Sequence, residues 1–236
     1  MEYYEMIDPG TNVYHLLFYM ISNFLIADTN KEIYYYYPYK NNKLEDELLE
    51  LLPHNFHRQA EKIQGIHYTT FMHAIPIFED TALPQSYVLL RHLFKNSIYP
   101  QILKKKIYIR RNPKHMGTAK RTLINTMDVD ICMSLLGFEI VELEDYKVPE
   151  QIKKVTEAEV IVSPHGAALA YTVFCHPGTN IIEIYKSNTK PKRHYMHIAQ
   201  ECKLTFFRFN DVKVVDEDEN MEVNVHSLFN FLKDFI

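Results

Sequence analysis

The chain has 236 residues, 47% of them apolar and 24% charged, with a formal charge of −4. A core of useful size can form, so general disorder is excluded, and the acidic balance argues against a protein that coats nucleic acid. Cys132, Cys175 and Cys202 are odd in number and widely spaced, which fits neither a disulfide framework nor a metal site, and they read as reduced thiols.

The start, Met1-Glu2-Tyr3-Tyr4-Glu5, is acidic where a secretory signal is basic. The longest apolar run, Leu16 to Ala27, is too short to span a bilayer and is interrupted by Ser22 and Asn23. With no Asn-x-Ser/Thr sequon in the chain, these features predict a cytoplasmic protein without stable membrane insertion. Asp8-Pro9-Gly10 is turn chemistry, and a largely apolar helix is expected over Val13 to Ala27, carrying His15 near its start. Glu32 to Tyr37 reads as a strand and Lys43 to Leu52 as an amphipathic helix stopped by Pro53. His54 and His57 are three apart, a metal spacing on a helix, but only two ligands would be preset, so ordinary histidines are expected. Gln85 to Lys95 reads as a further helix, with Val88, Leu89, His92 and Leu93 on one face.

From Lys106 the pattern becomes regular. Strands are expected at Ile107–Arg110, Phe138–Leu143, Val160–Ser163, Asn180–Tyr185 and Leu204–Phe209. Between them lie helices from Ala119 to Leu136, from Pro149 to Ala158, after Gly166, and from Pro191 to Cys202. Five strands alternating with four helices over short connections describe a parallel, Rossmann-like sheet. The acidic run Asp216-Glu217-Asp218-Glu219 precedes a closing helix expected over Met221 to Phe235.

The stretch Val160-Ile161-Val162-Ser163-Pro164-His165-Gly166-Ala167-Ala168-Leu169 is a buried strand, a tight turn and a helix start with almost no side-chain bulk. Such a start exposes unpaired N–H groups and suits a phosphate. Ligands of open parallel sheets bind beyond the carboxyl ends of the strands. Arg110 and Arg111, Ser163 to Gly166, and Tyr185-Lys186 therefore share one rim, with Arg121 in reach, and an arginine fork facing N–H groups can clamp a diphosphate. Glu183, inside an apolar strand, has no evident structural reason to be there. Asp128-Val129-Asp130 has the form of a metal-holding Asp-x-Asp pair, but within a helix its two carboxylates point roughly 200° apart and cannot meet on one ion. That helix is expected to bury Leu123, Ile124, Met127, Ile131 and Leu135. There is no Walker-type P-loop, no Gly-x-Gly-x-x-Gly fingerprint and no Gly-x-Ser-x-Gly elbow.

Taken in order, Lys106-Ile107-Tyr108-Ile109-Arg110-Arg111, Arg121-Thr122-Leu123-Ile124-Asn125, Gly137-Phe138-Glu139-Ile140-Val141, Glu150-Gln151-Ile152, Ala158 to Leu169, and Pro177-Gly178-Thr179-Asn180-Ile181-Ile182-Glu183-Ile184 resemble glycosyltransferase family 61. Asn12-Val13-Tyr14-His15 is similar more loosely. That family includes plant xylan-decorating enzymes and animal transferases of N-acetylglucosamine onto O-mannose or EGF-like domains. The resemblance implies an α/β, GT-B type protein of two Rossmann-like lobes facing a cleft, inverting and without a required metal. It implies an N-terminal acceptor-side lobe over residues 1–102, a C-terminal lobe over 103–220 that binds a UDP-sugar, and a closing helix over 221–236. That helix would pack back on the N-terminal lobe through Val223, Leu228, Phe231 and Leu232, across a hinge near Pro100 to Lys105.

By position, Arg111, Arg121 and Asn125 would face the diphosphate, with Ser163, His165, Gly166 and Ala167 beneath it and Glu183 at the ribose or base end. His15 would be the catalytic base, with Asp8, Glu79 and Asp80 in reserve. Thr126, Tyr171 and Tyr19 depart from residues usual in the family, at positions that bear on the acceptor rather than the phosphate clamp. The implied donor is UDP-GlcNAc or UDP-xylose and the implied acceptor a hydroxyl of a glycan or glycoprotein. The alternative is a non-catalytic nucleotide-sugar or glycan-binding module that kept the clamp and lost the base.

Overall fold

Ile107-Tyr108-Ile109 has no polar face to offer solvent, and in the computed structural model of the chain all three side chains are buried. They belong to β5 (Lys105–Ile109), which is flanked by β6 (Glu139–Val141) and β7 (Ala158–Pro164). The structure describes residues 1–6, 17–18, 30–36, 43–50, 55–71, 84–98, 103–111, 122–187 and 192–236. With β8 (Asn180–Ile184) and β9 (Thr205–Phe209) the sheet has the order β6-β5-β7-β8-β9, and every pairing is parallel. Parallel neighbours need crossovers. These are α3 (Thr126–Leu135), α4 (Val148–Thr156), a 3-10 helix over Ala167–Phe174, and α5 (His194–Glu201). The chain leaves β5 toward β6 and then returns to lay β7 on the other side, so the order reverses between β5 and β7.

Local chemistry explains several boundaries. Gly137, at φ 77°, ends α3 with two bonds, Gly137 N–H to the Ser134 carbonyl and Phe138 N–H to the Met133 carbonyl. This is a Schellman ending, which glycine adopts without strain. Glu150 accepts the Lys147 N–H at 3.1 Å and so closes the start of α4, beside Pro149. Gln151 donates to the Tyr146 carbonyl at 2.7 Å, so two residues of the family-like Glu150-Gln151-Ile152 stretch hold the fold.

Two expectations about α3 are corrected. The helix begins at Thr126 rather than near Ala119. It buries Val129, Cys132 and Met133, with Leu136 just past its end, while Ile124, Met127, Ile131 and Leu135 are each more than half exposed. Both faces of this helix are apolar, so periodicity alone could not say which turns inward.

The chain divides into two units, Met1–Ile98 and Tyr99–Ile236, and the sheet above belongs to the second. Its core joins Tyr108, Val160, Val162, Ile182 and Ile184 with residues that follow the sheet. A hairpin, β10 (Val212–Val214) and β11 (Met221–Val223), precedes α6 (Val225–Leu232). The closing helix is therefore shorter than expected, since Met221 to Val223 form a strand. Asn224 caps α6 by accepting the Ser227 N–H at 3.1 Å. Val223, Leu228 and Leu232 lie in the second unit's core, and Phe231 meets Phe209 at 5.6 Å between ring centroids. The hairpin turns the helix onto its own sheet, whose core uses this apolar stripe.

The first unit carries β1 (Glu2–Met6), β2 (Ile33–Tyr36), α1 (Lys43–Leu49), β3 (Phe56–Gln59), β4 (Thr69–Phe71) and α2 (Pro84–Leu93). Its strands run in the order β3-β2-β1-β4, again all parallel. Ile33 and Tyr35 are buried while Tyr34 and Tyr36 are half-buried, the alternation expected of a strand with one face inward. Helix α2 buries Tyr87 and Leu90, and Val88 is 71% exposed, so the expected Val88 face is corrected by about one residue's rotation. His57 pairs with Glu32 and stacks on Tyr34, and His54 lies outside the described residues. No helix among the described residues is long and apolar enough to cross a membrane.

Candidate functional site

Crevices form where a parallel sheet reverses its order, outside the carboxyl ends of the two strands concerned. Here those strands are β5 and β7, followed by Arg110-Arg111 and by His165-Gly166. Consecutive residues of an extended chain point to opposite sides. Arg110 bonds Asp130 at 2.6 Å and also pairs with Glu142. The hydrogen bond to Asp130, supported by Glu142, holds the Arg110 guanidinium above its ordinary basicity. Arg111 turns the other way and donates to the His165 carbonyl at 3.4 Å. Arg111 therefore lies beside the turn after β7, and Arg110 is tied to α3 and to the residue after β6. Asp130 is committed to Arg110, and among the described residues no group of His, Cys, Asp and Glu side chains is arranged to hold a metal ion.

Pro164 closes β7, and residues 165–168 are the half-exposed part of a stretch buried on both sides. The first bond of the following 3-10 helix runs from Leu169 N–H to the Gly166 carbonyl at 3.0 Å. The N–H groups of Gly166, Ala167 and Ala168 precede it and meet no acceptor among the described residues. Gly166 is extended, with φ 176° and ψ 169°, a conformation open to any residue. A Cβ placed there would meet only the Pro164 carbonyl oxygen, at an ordinary 3.8 Å. Neither backbone nor packing demands a glycine here. What its absent side chain leaves is access to three consecutive N–H donors.

Behind the turn lies a polar chain inside the sheet. Glu183 on β8 is paired in register with Arg208 on β9 and has no exposed surface. Its Oε1 is 2.5 Å from His165 Nδ1, and its Oε2 accepts from Arg208 Nε at 2.7 Å. Arg208 also lies over the Tyr185 ring at 4.9 Å and donates to the Lys192 carbonyl at 3.0 Å. The His165 ring is flanked by Tyr185 at 4.9 Å and Tyr195 at 5.3 Å. A charged pair this deep is tolerable because every charge has a bonded partner.

The expected site residues separate into three groups. Arg111, His165, Gly166 and Ala167 come together at the rim. Ser163, Asn125 and Glu183 each make contacts within the fold. Ser163 is buried and donates to the Pro164 carbonyl at 3.0 Å. Asn125 uses both ends of its amide on the Val223 backbone, at 2.8 and 3.1 Å, and so ties the start of α3 to β11. Glu183 has both oxygens taken, one by His165 and one by Arg208. Arg121, His15, Asp8, Glu79 and Asp80 lie outside the described residues. Tyr185 was expected on the rim, and Arg208 and Tyr195 were missed. A signal for Arg208 was present: Thr205-Phe206-Phe207-Arg208-Phe209 carries one cation in an apolar strand, as Asn180 to Ile184 carries one anion.

A family model described as Glycosyltransferase 61 matches residues 13–182, well over half of the chain. No curated protein matches the chain.

Proposed function

The chain belongs to the glycosyltransferase 61 family, and from that premise we propose that it transfers a sugar from a UDP-sugar to a hydroxyl of a glycan or glycoprotein, with inversion and without a metal. The observation that carries this reading is the trio of N–H groups at Gly166, Ala167 and Ala168, without an acceptor among the described residues, at the end of β7 beside Arg111. Donors fixed in place before the reaction stabilise a departing diphosphate without having to reorganise. Arg111, together with Arg121, supplies the positive charge that a metal supplies elsewhere. The acceptor hydroxyl loses its proton to a base and attacks the anomeric carbon from the face opposite the diphosphate. We assign that base to His15, with Asp8 and Asp80 in reserve; transfer by a His15→Ala variant would move the role to a carboxylate. Two parallel-sheet units in one chain support a GT-B architecture with the donor on the second unit. Calorimetric titration of UDP with and without EDTA tests the reading. Equal affinity in both is expected, and binding that vanishes with chelator would overturn metal independence.

A further inference from the structure

Carboxylates that ion-pair with arginine accept hydrogen bonds and have none to give. Arg208 occupies Oε2 of Glu183, so the hydrogen in the 2.5 Å contact at Oε1 comes from His165 Nδ1. Nδ1 is thus the ring nitrogen engaged by Glu183, and Nε2 is the one left for a ligand. A neutral imidazole with its proton on Nδ1 carries a lone pair on Nε2. No described residue bonds Nε2, and the His165 side chain keeps 15% of its surface exposed at the rim. Among the described residues, the groups around the ring are few. Glu183 and Arg208 come from β8 and β9, the Tyr185 and Tyr195 rings lie alongside it, and Arg111 reaches only its carbonyl.

A lone pair is a poor neighbour for a phosphate oxygen and a good one for a hydroxyl. We propose that His165 Nε2 is the site's hydroxyl acceptor, receiving an O–H from the bound sugar substrates, and that Arg208 is a positioning residue that fixes this state through Glu183. The division of labour at the turn follows: backbone N–H groups face the anion and the ring faces an O–H. This rests on the donor-site reading above and refines it. The hydroxyl comes either from the ribose of the donor or from a reacting sugar, and both present the same O–H.

The ring state is tested without ligand, by long-range proton–nitrogen NMR on histidine-labelled full-length protein. The His165 signal is identified by its loss in His165→Ala, or in His165→Gln if that variant does not fold. The expected result is a proton on Nδ1 at neutral pH, loss of that single state in Arg208→Gln, and its retention in Arg208→Lys, where the charge remains. A proton on Nε2 in the wild type overturns the proposal, and an unchanged ring in Arg208→Gln overturns the role of Arg208.

Titration of UDP and of 2′,3′-dideoxy-UDP into wild type and His165→Ala, with UDP-sugar hydrolysis alongside, identifies the hydroxyl. If the ribose supplies it, His165→Ala weakens UDP on the order of tenfold, about one hydrogen bond's worth, and leaves the dideoxy compound unaffected. If a reacting sugar supplies it, UDP affinity holds and hydrolysis falls by a similar factor or more. No change in either measurement overturns the acceptor role. A wild-type protein that binds no UDP refutes the donor-site reading instead, and the ring state then decides this proposal alone.

Discussion

A Cβ at Gly166 would make only an ordinary contact and the backbone there is extended, so replacing it separates folding from binding. Gly166→Ala should keep the wild-type melting temperature while weakening UDP binding by about 1 kcal/mol or more, because the methyl group crowds the N–H donors beside it. A fall in melting temperature with unchanged affinity would make the glycine structural. Arg111→Ala should also leave the fold intact and lower UDP affinity, on the order of 1.5–3 kcal/mol for a charge-assisted bond to a desolvated phosphate. Arg110 supplies the contrast. Its partners Asp130 and Glu142 sit on α3 and just past β6, so its loss should appear in stability rather than in binding.

Elements are held in place by a few side-chain ties that the motifs do not advertise. Asn125 joins the first turn of α3 to β11, residues nearly a hundred positions apart, by accepting the Val223 N–H and donating to its carbonyl. Val223 is 2% exposed, so Asn125→Ala leaves a buried N–H without its partner. The expected effect is a loss of about 1–3 kcal/mol in denaturant unfolding, with UDP affinity changed by less than a factor of a few. An affinity loss at full stability would return Asn125 to the diphosphate. Glu183 and Arg208 form a similar tie within the sheet, where strand register sets a carboxylate opposite a guanidinium.

At the scale of the molecule, the second unit has one continuous core running from the sheet through β11 to α6. Cys132, Cys175 and Cys202 all lie inside this unit and are buried, and burial pushes the Cys132 thiol up from its ordinary value. None of the three should react with a thiol reagent at pH 8 in the native protein. Leu232 has no exposed surface, so Leu232→Ala should cost about 2–5 kcal/mol. All three cysteines should then label together and faster. Labelling confined to Cys132 would show local opening near α3 instead of one cooperative unit.

The alternation of strands and helices after Lys106 was legible because buried parallel strands are continuous apolar runs and their helices are periodic. The strand end and turn at Pro164-His165-Gly166 were legible because a β-branched run gives way there to the smallest side chains. Other features depended on three-dimensional neighbours. Ile131 and Val129 are equally apolar, and only the sheet beneath α3 decided that Val129 is buried and Ile131 exposed. Which of Arg110 and Arg111 is tied into the fold turned on where Asp130 and Glu142 stood. Glu183 was visible as an anion in an apolar strand, but its partner lay 25 residues away on β9. Sequence records which side chains cannot be left to water; register and crossover decide which of them meet, because those contacts are set by strand pairing across long chain separations.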